Sequence, residues 1–76
     1  MPLPLFGPLD VLVHAVRPFA IHGDMYYELQ VTPVSDSGDV SALRLANHLL
    51  APPPRVGERL TLTFLMGQVT GARRTA

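Results

Sequence analysis

From Arg59 to Met66 the chain alternates. Leu60, Leu62, Phe64 and Met66 share one parity, while Arg59, Thr61 and Thr63 share the other. Period-two alternation predicts a strand with one buried face. Val56-Gly57-Glu58 reads as the turn that launches it, and Gly67 as a bulge or bend. From that glycine on, Gly67–Gly71 supplies a fifth strand or a bulged continuation of the fourth. The same alternation recurs over Met25–Val34, with Tyr27, Leu29 and Val31 inward and Tyr26, Glu28, Gln30 and Thr32 toward solvent. Asp10–Val16 is the predicted first strand. Val11, Val13 and Ala15 lie on one face and Leu12, His14 and Val16 on the other, and two apolar faces suit a central or curved strand. Arg17-Pro18 interrupts its ladder, Phe19–Ile21 resumes it, and His22-Gly23-Asp24 is a tight turn into the second strand.

Ser35–Asp39 is a second turn by composition. The stretch Val40–Ala51 fits two patterns. Ala42, Leu45, Ala46 and Leu49 have helical spacing with Asp39 or Ser41 as a cap, yet Ser41, Leu43, Leu45 and Asn47 alternate. The expectation is a third strand over Val40–Leu45, then a helical turn through Ala46–Leu50, closed by Pro52, Pro53 and Pro54. Residues 1–9 carry three prolines and read as an extended arm, and residues 73–76 as a basic tail. The predicted class is all-β: residues 10–72 form one small five-stranded β-barrel, closed or partly open, with one short helical turn between strands three and four.

Composition adds the need for a partner. A chain of 76 residues is one small domain, which buries only about 60% of its unfolded surface. With 47% hydrophobic and 16% charged residues, some apolar surface is expected to meet a second copy (a dimer or higher homo-oligomer) or a larger complex. There are no cysteines, so no disulfide or thiolate metal site can add stability. Formal charge is zero but uneven. Residues 1–54 hold Arg17 and Arg44 against Asp10, Asp24, Glu28, Asp36 and Asp39, whereas residues 55–76 hold Arg55, Arg59, Arg73 and Arg74 against Glu58. The apolar start lacks the basic residues of a signal peptide, and no run nears the roughly 18 apolar residues of a membrane span, so a soluble cytoplasmic protein is expected.

The order of strands and turns resembles the oligonucleotide/oligosaccharide-binding (OB-fold) superfamily, in particular its small single-stranded-DNA-binding and primosomal members. The residues that carry the resemblance are Val11–Ile21 as a curved first strand, Met25–Val34 with the Ser35–Asp39 turn, and Val56-Gly57-Glu58-Arg59-Leu60 opening the fourth strand. It implies a non-catalytic module that binds single-stranded DNA or RNA on the exposed face of strands two and three, through aromatic stacking and basic groups. By position, Tyr26 and Arg44 are the candidate contacts, extended by Phe19 and Arg17 and by Arg73 and Arg74 in the tail. The chain departs from the usual pattern in having no Trp and no Lys, and in placing Glu28 beside the platform.

Other chemistries find little here. His14, His22 and His48 lack metal-ligand spacing, and the Ser35–Asp39 turn lacks the closing Glu of a calcium loop. No nucleophile elbow or glycine-rich phosphate loop is present, so neither an enzyme nor a cofactor is expected. The competing reading is a protein-interaction or assembly module with no nucleic-acid role.

Overall fold

A computed structural model describes residues 3–35 and 38–75. The expected Ser35–Asp39 turn therefore lies partly outside the described residues, as do Met1 and Pro2 of the arm and Ala76 of the tail. The described chain forms five strands: β1 (Phe6–Ile21), β2 (Asp24–Pro33), β3 (Ser41–Ala46), β4 (Arg59–Leu65) and β5 (Gln68–Arg74). One 3₁₀ turn, Asn47–Leu49, stands between β3 and β4. The strands make a single antiparallel sheet in the order β3-β2-β1-β4-β5.

The sheet is organised by β1, whose 16 residues serve two partners in succession. Phe6–Leu12 pair with β4, and Val11–Ile21 pair with β2. Because the partners overlap only at Val11 and Leu12, the sheet coils along β1 and brings β3 near β5. No ladder joins those two strands, so the sheet is not closed. Residues 6–9 of the expected arm belong to β1, where Phe6 lies opposite Leu65 and Leu9 opposite Leu62. Pro18 does not break the ladder register; it lies opposite Tyr27.

The register slips instead between Val13 and Ala15, which leaves His14 without an opposite residue. This bulge reverses the parity of β1. Val11 and Val13 are buried before it and Val16 packs on the core after it, so Val16 shares the inner face that the uniform alternation would have given to Ala15. Arg17 and Phe19 are thereby turned outward. The bulged His14 places its Nε2 2.7 Å from the Thr32 hydroxyl, and Thr32 is buried although its parity is the outer one.

Two-residue turns join β1 to β2 and β4 to β5. His22-Gly23 and Met66-Gly67 both have two consecutive positive φ angles, the type I′ geometry that matches strand twist. Met66 is therefore a turn residue, 74% exposed, and not the fourth member of the inner row; Gly67 is a turn glycine and not a bulge. The remaining inner row of β4 is as expected, with Leu60, Leu62 and Phe64 buried beside Leu29, Val31, Leu43 and Leu45. Thr61, expected at the surface, is also buried and donates its hydroxyl to Asp10 Oδ1 at 2.6 Å. Residues 41–46 take the strand pattern because the free edge of β2 offers six partners, Val31 to Tyr26, and burial for Leu43 and Leu45.

The loop into β4 is fastened by Glu58. Its carboxylate accepts from Arg55 N–H at 3.0 Å and pairs with the Arg74 guanidinium, which also donates to the carbonyls of Pro52 and Pro53. Partial burial pushes the Glu58 carboxyl up, but the Arg74 hydrogen bond, the Arg55 N–H and the two positive charges outweigh it and hold the pKa below the usual value. A carboxyl with a lowered folded pKa contributes stability above its unfolded pKa, and that stability is lost as pH falls through the folded value. The urea midpoint should therefore drop below about pH 4, and Glu58→Gln should flatten that acid limb while costing about 1 kcal/mol at pH 7. An acid limb unchanged in the variant contradicts this role.

Candidate nucleic-acid interface

The bulge at His14 and the register of β1–β3 assemble one outward patch. Across the three strands, Arg17 lies opposite Glu28 and Glu28 opposite Arg44; in the next outward row Phe19 lies opposite Tyr26 and Tyr26 opposite Ala46. Four of the six candidate residues thus come together on one face. The Phe19 and Tyr26 rings stack in an offset arrangement, 5.7 Å between centroids and 25° from parallel. Arg44 Cζ sits 5.7 Å from the centre of the Phe19 ring, within cation–π range. Arg17 reaches Glu28 at 3.5 Å, and both side chains keep substantial exposure at 73% and 39%.

The patch borders a groove of about 640 Å³ between β3 and the β4–β5 turn, lined by Tyr26, Arg44, Ala42, Ala46, Gly67 and Gln68 among others. Electrostatically the patch is only weakly positive, because Glu28 stands between the two arginines. A phosphate would thus compete with Glu28 for Arg17, and an aromatic base would find two rings already stacked across the strands.

The tail arginines lie elsewhere. Arg73 is exposed opposite Thr61 on β5, and Arg74 is held by Glu58 and the proline carbonyls. Neither joins the Phe19–Tyr26 patch, and an Arg74 so engaged is not free to meet a phosphate. Sequence reasoning passed over Asp24, Asn47 and His48, which ring a second hollow beside Tyr26. Asp24 shares the parity of Tyr26 on β2, but only the cross-strand register Tyr26–Ala46 brings Asn47 and His48 there, and linear spacing carries no sign of that.

Among the described residues no group of three or more His, Asp or Glu side chains gathers as a metal site, and no helix is long and apolar enough to cross a membrane. No family model, curated protein or solved structure matches this chain.

Proposed function

We propose that the chain is an OB-like, partly open barrel that binds single-stranded nucleic acid on the outer face of β1, β2 and β3. The observation that carries this reading is the stacked Phe19–Tyr26 pair flanked by Arg17 and Arg44. Sequence-tolerant binding of single strands needs this combination, since every base has a π-face and every nucleotide a phosphate. The location supports it as well. The groove between β3 and the β4–β5 turn corresponds to the strand-two/three face and the loops used by OB-folds. A long first strand shared between β2 and β4 fits such a barrel opened between β3 and β5.

The test is fluorescence anisotropy of the full chain with labelled dT oligomers. With Arg17 and Arg44 as the phosphate contacts, affinity should fall about sevenfold between 50 and 200 mM salt, from about 0.7 counterions released per contact. Absence of binding at 50 mM salt with protein in the high micromolar range rejects the reading.

A second reading, an assembly module, is favoured by a separate observation. Leu5, Phe6, Leu65 and Met66 are all exposed by more than half at one end of the sheet, far more apolar surface than a free end requires. Under that reading a second copy or a larger complex covers this end, and the dT titration shows no binding at any salt.

A further inference from the structure

The second hollow, about 320 Å³, adjoins the platform and shares Tyr26 as a wall. We propose that it reads the Watson–Crick edge of an unpaired guanine whose ring rests on Tyr26, an inference that rests on the single-strand reading above. Asp24 lies two residues before Tyr26 on the same face of β2, and Ala46 lies opposite Tyr26 on β3. The small Ala46 leaves that flank of the tyrosine ring uncovered, in contrast to the Phe19 flank. Directly after Ala46 the chain turns into the 3₁₀ segment, which sets Asn47 and His48 around the same hollow. Hydrogen-bonding groups therefore stand one step beyond the aromatic floor, where the edge of a stacked base would lie.

The kinds of group select the base. Asp24 offers a carboxylate, which in ionised form only accepts. Among the four bases, guanine alone presents two adjacent N–H donors, N1–H and N2–H, with the O6 acceptor beside them. Thymine has one donor between two acceptors, and adenine and cytosine set an acceptor nitrogen next to their amino group. A carboxylate matches the guanine pair in bidentate fashion and faces a lone pair on the others. Asn47 complements the remaining atom. The Tyr27 hydroxyl donates to Asn47 Oδ1 at 3.1 Å, which leaves the Nδ2 donors for an acceptor such as O6. His48 is exposed at the same rim and adds a ring N–H. In single strands these edges are not engaged in pairing and can be read directly.

The experiment uses the full chain and labelled dT oligomers that carry one central G, A or hypoxanthine, titrated at low salt. The G oligomer should bind about tenfold tighter than the all-T parent, the range of a good bidentate base contact. Hypoxanthine keeps N1–H and O6 but lacks the N2 amine, and should lose most of that gain. Asp24→Asn sets an amide donor against the guanine N–H groups and removes a negative charge from the phosphate path. Its G preference should vanish while all-T binding holds or rises, a split that a merely weakened site would not give. Equal binding of G, A and T oligomers by the wild type overturns the guanine inference and leaves the single-strand reading standing. A G preference retained by Asp24→Asn overturns the role of Asp24, and failure of every oligomer to bind overturns both readings together.

Discussion

Phe64→Ala should cost the protein about 3–5 kcal/mol of stability, whereas Met66→Ala should leave it within about 0.5 kcal/mol of the parent. The two residues have the same parity in the chain and stand two positions apart. Phe64 is 2% exposed within the cluster of Leu60, Leu62, Val11 and Leu45; Met66 is 74% exposed at the tip of a hairpin. Truncating a buried phenylalanine removes its transfer free energy and leaves a cavity, together about 3–5 kcal/mol. A domain of this length has roughly 4–11 kcal/mol of stability in total, so the loss consumes much or all of it. Urea unfolding followed by circular dichroism measures both variants. A Phe64→Ala cost under about 1 kcal/mol would mean that the β4 inner row is not the core.

Tyr26→Ala should weaken binding to dT oligomers by about 1–3 kcal/mol while leaving the unfolding midpoint close to that of the parent. Tyr26 is half-buried on the outer face and touches no residue of the inner cluster, so its removal affects the platform and not the core. Phe19→Ala should have a similar effect, with an added part from the lost seat for Arg44. Because the rings touch, the double variant should cost less than the sum of the single ones. Strict additivity of the two changes would show that the rings act as separate contacts. Unchanged affinity in folded Tyr26→Ala removes Tyr26 from the interface.

On the proposed function, one face would carry out two tasks. The rings and arginines would hold any single strand with modest affinity, in keeping with a zero net charge. The hollow at Asp24, Asn47 and His48 would then favour strands that place a guanine there. Glu28 makes the same point electrostatically. Flanked by Arg17 and Arg44, it lowers the pull on phosphate and shifts weight toward base contacts.

Much of this molecule was legible in its residues. Alternation with β-branched and aromatic side chains marked β2 and β4, because a half-buried strand needs period two. The dipeptides His22-Gly23 and Met66-Gly67 place glycine where a type I′ turn needs positive φ, and the residues marked turns or bends at both places. The third strand and the short helical turn after it were legible to within a residue at the strand's ends. Parity set Tyr26 on the outer face, and the OB-fold resemblance brought in Arg44 by position.

What the linear pattern could not decide was where parity changes. The bulge at His14 inverts the faces of β1, just past the point where the strand leaves β4 and continues along β2 alone. Without that inversion Arg17 and Phe19 would share the face of Val11 and Val13 and point into the core. The sequence by itself determined β2 and β4 to within a residue, the turn at His22-Gly23 and most of the inner rows of those two strands, since these depend on neighbours one to four residues apart. Only the tertiary structure decided that Met66 leaves the inner row, that Thr32 and Thr61 are buried against His14 and Asp10, and that Arg74 is held by Glu58. It alone set Arg17, Phe19, Tyr26 and Arg44 side by side, because cross-strand register joins residues far apart in the chain and a one-residue slip reverses every face.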